Sequence, residues 1–426
     1  MIPVRFGRPY PLSLLVLAGI PCGLWAQAPQ ALTLQQAVQE ALANNLDLAA
    51  ERYGISIAES RRITAALRPN PVLTVAGQTL NVFREPYTTD SPLGPNSLTV
   101  HTEFPFERGH KREERIAVAE QDRALAQLEI REATRQVVFN VQSAYVDVQQ
   151  AKASLQLAEE NLRRLQAIVD INRARLASGD LAQVEFDRSQ VAALQYQTAV
   201  AQAQLQLDQA KTQLQALLGR KQRSAQFDVA DDFRADMLGQ NEGEIATLAV
   251  SRRPDLLGFQ QAQARSQADL RLQLANGKID YSAGVEVTRQ SAYGFGGNSL
   301  GLTFSVPLPF YNRNQGEIAR AERETTQAGA RVDAVQTGIR AEVEKAYRQY
   351  SVSKSVLENV RTNMLTKART VLDTTEYSYR RGEASLIEFL DAQRAFSDTM
   401  QTYNEARANY ARSLYLIDLV SGASGG

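Results

Sequence analysis

From Val137 to Val169 apolar residues recur in unbroken steps of four and three: Val137, Val141, Ala144, Val148, Ala151, Leu155, Ala158, Leu162, Leu165 and Val169. That spacing is the a/d seam of a coiled coil. Gln, Glu, Arg and Asp fill most positions between, which predicts a narrow buried stripe on an otherwise solvated helix. About 200 residues later the seam returns at Val343, Ala346, Tyr350, Ser353, Leu357, Val360 and Met364, with Met364 read as core. Even the dipeptide Ala144-Tyr145 recurs, as Ala346-Tyr347. A chain that carries one long coiled-coil helix twice must be organised around the pair.

The flanking elements repeat as well. In a first unit, 27–241, Thr33 opens a helix that runs to about Leu67, where Pro69 and Pro71 stop it. Two strands are predicted over 72–82 and 97–105, then a long helix over 111–177, a turn at Ser178-Gly179-Asp180, a return helix over 181–218 and a polar connector. A second unit, 242–426, offers a helix from Glu244 to about Asn276, strands over 279–290 and 298–307 and a long helix over 315–379. A turn at Arg381-Gly382-Glu383 and a helix over 384–420 complete it. Asn45-Leu46-Asp47-Leu48 answers Arg253-Pro254-Asp255-Leu256, and Glu185-Phe186 and Gln190 answer Glu388-Phe389 and Gln393. A period near 200 residues is far too long for a solenoid and reads as a duplication whose halves pack side by side. At ~1.5 Å per residue each long helix spans ~100 Å, matched by two short helices end to end.

The strands alternate. Leu98, Val100, Thr102 and Phe104 interleave with Thr99, His101 and Glu103, and Leu300, Leu302, Phe304 and Val306 with Gly301, Thr303 and Ser305. Four such strands suit a membrane β-barrel, apolar side to lipid and polar side to water, yet closure takes about eight. Open edges do not survive in hydrocarbon. The barrel must therefore be shared between chains. Three chains would supply twelve strands, although this physics does not itself fix the number at three. The predicted fold is mainly α with a small β part: a long coiled-coil helical barrel plus four strands per protomer.

Composition narrows the function. Among 426 residues, 47 are basic and 47 acidic, which offers nothing to nucleic acid. Arg5 and Arg8 precede the apolar run Leu12 to Ile20, with small residues at Ala26 and Ala28, so residues 1–26 are expected to be a signal peptide. Cys22 lies in that leader behind a poor lipobox, Gly19-Ile20-Pro21, and reads as a discarded residue. No segment approaches the ~18 consecutive apolar residues of a membrane helix. His101 and His110 are the only histidines and lack metal-ligand spacing, so no metal or cofactor is expected. Gly294-Phe295-Gly296-Gly297 has no strand-to-helix context, and no catalytic motif occurs, so an enzyme is not expected.

The whole mature chain resembles the TolC family of outer-membrane factors. The segments Thr102 to Arg112 and Ser305 to Gly316, with Leu67-Arg68-Pro69-Asn70-Pro71, are similar to those of its CzcC-type branch, which serves heavy-metal efflux. The resemblance implies a homotrimeric channel in outer-membrane lipid with its helical barrel in the periplasm. It also implies docking, through a periplasmic adaptor (membrane fusion protein), onto an inner-membrane pump of the resistance-nodulation-division (RND) class. Carried onto this sequence, it places a periplasmic constriction at Glu388 and Asp391, a closed-state bond between Tyr379 and Glu185, and adaptor-docking tips at Gly179, Asp180, Arg381 and Gly382. The family's arginine latch falls on Ala384, a departure that points to closure by packing. From spacing alone, Glu388 and Asp391 share a helix face and also fit ordinary solvated acids. In a trimer they would form a ring of about six carboxylates that attracts cations. Two alternatives remain: a TolC-like channel for drugs or type I secretion, and a soluble periplasmic coiled-coil adaptor or spacer. The paired strands argue against the second.

Overall fold

The computed structural model describes residues 31–78, 96–221, 227–292 and 295–423. The expected signal peptide with Cys22, the expected strand end at 79–82, the loop from Arg84 to 95, and Gly294 lie outside the described residues.

The helix expected from Thr33 to Leu67 is two helices, α1 (Leu34–Asn44) and α2 (Leu46–Ala66). Thr33 opens α1 with a capping box completed by Gln36. Asn45 breaks the run because it takes an extended conformation (φ −60°, ψ 126°) and caps α2, its Oδ1 accepting from the Leu48 N–H at 3.0 Å. Its Nδ2 donates to the Leu217 carbonyl at 2.9 Å, so the break also ties the two helices to the core. The second half breaks at the matching position. There α5 (Glu242–Arg252) and α6 (Pro254–Asn276) meet at extended Arg253, with Pro254 in the first turn.

Strands β1 (Val72–Gln78), β2 (Asn96–Phe106), β3 (Tyr281–Ala292) and β4 (Phe295–Ser305) form one antiparallel sheet in that order. The register puts Leu73, Thr102, Val285 and Leu302 in one row across the sheet, and Thr74, His101, Glu286 and Gly301 in the next. Adjacent rows face opposite ways. One face is therefore apolar and the other polar.

Below the sheet stand α3 (Lys111–Ser178) and the second long helix, each beginning behind a residue held in the left-handed region, His110 at φ 62° and Asn314 at φ 65°. Lys111, buried, binds Asp280 at 2.6 Å and so fixes the start of α3 to the start of β3. The helices pack as a row, α2–α3–α6–α7 (Gln315–Asn359) nearer the sheet and α4 (Gln183–Leu217)–α3–α9 (Leu386–Ser421)–α8 (Thr366–Arg381) nearer the turns. Because α3 is flanked on both sides, it buries more than the one expected stripe. Val138, Tyr145, Gln149, Leu157, Asn161, Ile168 and Asn172 are buried besides the seam.

The second long helix is not continuous. It comprises α7 (Gln315–Asn359), a π turn at Val360–Leu365 and α8 (Thr366–Arg381). The π turn overturns the reading of Met364, which is exposed, while Leu365 packs toward the core in its place. At the waist the connector returns to pair Leu32 with Val229, and Tyr145 donates to the Leu32 carbonyl at 2.8 Å.

Candidate functional site

Each long helix ends on a glycine in the left-handed region, Gly179 at φ 83° and Gly382 at φ 84°. The chain can then reverse with the Asp180 N–H returning to the Arg175 carbonyl and the Glu383 N–H to the Ser378 carbonyl. Asp180 accepts from Ser178 Oγ, and Arg381 pairs with Glu383 at 3.2 Å while its Nη1 donates to the Tyr377 hydroxyl. Both tips are exposed, with their polar groups turned to local partners.

Behind the tips lies an apolar cluster of Leu165 and Ile168 from α3, Leu372 and Tyr379 from α8, and Leu386, Phe389 and Phe396 from α9. Ala384 packs against it. Tyr379 stacks on Phe389 at 5.6 Å between ring centres, and the Arg175 guanidinium covers its ring while Nη2 donates to the Arg380 carbonyl at 2.6 Å. The Tyr379 hydroxyl does not meet Glu185. It donates to Asn172 Oδ1 at 2.7 Å, because the ring is held between α3 and α9, where Asn172 is the polar group within reach. Burial raises the Tyr379 phenol pKa, the Asn172 bond and Arg175 oppose that, and Glu185 adds a smaller push upward. Glu185, half-buried in the first turn of α4, donates its backbone N–H to the Ala182 carbonyl, while its carboxylate makes no hydrogen bond among the described residues.

Glu388 and Asp391 are exposed one turn apart on α9. Glu388 has a further task. Its carboxylate accepts from the Ser385 N–H at 2.7 Å, while Ser385 Oγ accepts from the Glu388 N–H, a reciprocal cap at the start of α9. The Ser385 amide and hydroxyl hold the Glu388 carboxyl pKa below its ordinary value. Sequence reasoning missed this role, although Ser385-x-x-Glu388 is the capping-box pattern. It also missed a buried polar layer one level up, where Gln393 Nε2 donates to Asn161 Oδ1 at 2.8 Å and Asn161 Nδ2 to Ser397 Oγ at 3.0 Å. Gln190, the counterpart of Gln393 in the first half, is exposed.

The opposite end of the molecule carries the second feature. Leu302 is 82% exposed and Leu300 72%, and Leu73, Val75, Val100, Val285 and Val287 on the same face are also open. Phe106, Tyr281 and Phe304 form a line of rings at the helical end of that face, 5.3 and 5.5 Å apart. Such a face is what a lipid-exposed barrel wall presents, down to the aromatic girdle. The two strand edges, β1 and β4, are unpaired among the described residues.

Exposed apolar residues also mark the ends of the helical row. On α2 Leu46, Tyr53 and Ile57 are open at heptad spacing, on α4 Val191 and Leu194, and on α7 Val352 and Val356. The unfinished seams and the unpaired strands thus lie on the same two flanks. No described helix is long and apolar enough to cross a membrane. No group of three or more His, Cys, Asp or Glu able to hold a metal occurs among the described residues.

The sequence profile of the family described as outer membrane efflux protein matches residues 37–220 and 245–423. The cobalt-zinc-cadmium resistance protein CzcC of Cupriavidus metallidurans is 23% identical over 401 residues, 93% of this chain and 91% of that protein. The cation efflux system protein CusC of Escherichia coli K12 is 24% identical over 307 residues, 68% of this chain and 64% of that protein. A crystal structure of CusC shares the fold with a TM-score of 0.75 at 19% identity, covering 98% of both chains.

Proposed function

Because the chain belongs to the outer membrane efflux protein family, we propose that it is the outer-membrane exit duct of a tripartite RND efflux system for heavy-metal cations. The observation that carries the reading is a four-stranded sheet with an apolar outer face and two open edges, on the same flanks as the unfinished helical seams. One flank, β1 with α2 and α4, meets the other, β4 with α7, on the next copy. Head-to-tail contacts of this kind close into a ring. Three copies give twelve strands, within the range of closed membrane barrels. The two halves, 27–241 and 242–426, are then duplicated repeats that alternate around the ring behind a removed leader.

The protein works as a passive conduit. Its helical turns, with Gly179, Asp180, Arg381 and Gly382, receive the periplasmic adaptor that links the duct to the inner-membrane pump. Glu388 and Asp391 ring the periplasmic mouth and favour cations there. Tyr379 holds α8 to α3 at that level through Asn172, with Glu185 alongside, and Ala384 leaves the mouth to close by apolar packing. A metal cargo is supported by the resistance and cation-efflux relatives.

The test is a deletion strain challenged with a panel of metals and drugs and complemented in trans. Heightened sensitivity to divalent heavy-metal cations, restored by the gene, is the expected result. Sensitivity confined to drugs would overturn the metal cargo.

A further inference from the structure

The polar face of the sheet carries charged side chains far from the helical turns. His101 on β2 stands opposite Glu286 on β3, with its Nδ1 3.9 Å from Glu286 Oε2. That separation is too long for a hydrogen bond. Nδ1 is nevertheless shut off from solvent and has no hydrogen-bond partner among the described residues. A buried nitrogen left without a partner calls for an explanation.

The neighbouring strands make room for this pair. A Cβ at Gly284 would collide with the His101 ring, and a Cβ at Gly301 would collide with the Glu286 side chain. Each side chain therefore lies over a glycine of the next strand instead of standing out from the sheet. Glu103, next along β2 on the same face, accepts from Ser282 Oγ and so is already engaged. The imidazole nitrogen and the Glu286 carboxylate are left facing each other across a gap.

We propose that His101 and Glu286 form a low-affinity site for a first-row divalent cation such as Zn²⁺ on the lumenal wall of the barrel. The proposal rests on the barrel reading given above, and it concerns the end opposite the Glu388 and Asp391 ring. One imidazole and one carboxylate are a donor set that such ions accept. Bonds of about 2.0–2.2 Å put two tetrahedral donors about 3.4 Å apart, so the pair need close by only about half an ångström. With two protein donors, water completes the coordination. Weak binding is what a conduit requires, since an ion must leave as readily as it arrives.

The experiment uses the full chain reconstituted as channels in planar bilayers, in a monovalent salt, with ZnCl₂ added to the extracellular side and MgCl₂ as the comparison. Zinc should lower the conductance. His101→Ala and Glu286→Gln should each raise the half-blocking concentration about tenfold or more, as loss of groups at a metal site does. Magnesium, which prefers oxygen donors and sheds water reluctantly, should not block at that concentration. The double variant Glu388→Ala with Asp391→Ala should retain extracellular block, separating this site from the periplasmic mouth. Channels that conduct normally but show the same zinc block in all variants, or equal block by magnesium, would overturn the site alone. Absence of any conductance from the wild-type chain would overturn the barrel reading and the site with it.

Discussion

The contact between Tyr379 and Asn172 can be tested through one oxygen atom. Tyr379→Phe keeps the stacking on Phe389 and the cover of Arg175 and removes only the hydroxyl. Asn172 is fully buried and its Nδ2 has no partner among the described residues, so the Tyr379 hydroxyl is what satisfies its Oδ1. Stranding a buried acceptor costs ~1–3 kcal/mol. If that cost falls on the attachment of α8 to α3, the detached population should rise roughly 5- to 150-fold. Hydrogen exchange of the α8 amides reads this directly, and single-channel conductance of the reconstituted protein reads its consequence at the mouth. Adding Asn172→Leu to Tyr379→Phe removes both polar partners, and most of the protection should return, because an apolar pair of similar shape is nearly neutral. Unchanged exchange in the single variant, or a double variant looser than the single, would refute the claim that this hydrogen bond holds the tip.

Three further outcomes follow from the same geometry. Leu302→Arg, on the open apolar face, should cost about 2–4 kcal/mol if it lies near the bilayer midplane and should reduce recovery of assembled protein from outer membranes. Ile57→Asp should leave the protomer folded, because Ile57 is exposed within it, yet sedimentation in mild detergent should show the assembly dissociating. For Glu388 the folded pKa is depressed, so its contribution to the α9 cap is present above the ordinary carboxylate value of 4.5 and is lost as pH falls below it through the lowered value. Exchange at the start of α9 should accordingly stay protected at about pH 5 and loosen only under more acid conditions.

The mainly helical fold with its four strands was legible because each period is written over many residues. The 3.5-residue seam of α3 and the alternation of Leu98, Val100 and Phe104 leave few other readings. Single-residue events were harder to read. Asn45 looked like one more polar position in a helix, although an Asn before Leu46-Asp47-Leu48 is also a cap signal. Asn172 and Gln393 gave no sign of being buried, since a polar residue inside a helix is counted as solvated unless its neighbours in space are known. Tyr379 lies beside the turn, but its partner depends on how α8 is rotated about its axis, and that rotation is set at a distance.

The π turn sets it. At 3.6 residues per turn, an unbroken helix from Val360 would carry Leu372 and Tyr379 about 120° and 100° away from the seam, out of the core. Absorbing one residue brings them to within about 20° of Val360 and into line with it, and both are buried. The same residue count explains the exchange of Met364 for Leu365, since a step of five from Val360 lands on Leu365. In α3 the seam needs no such correction, and no π turn occurs there. Removing one residue inside the turn, by deleting Met364, should therefore let the helix run on as α and leave Tyr379 facing Asn172, with thermal stability close to that of the parent. Deleting one residue from the middle of α3, at Ala158, should instead rotate everything beyond it by about 100° and uncouple Asn172 from Tyr379. If circular dichroism and exchange showed the two deletions equally damaging, the π turn would not be the element that aims Tyr379 at its partner.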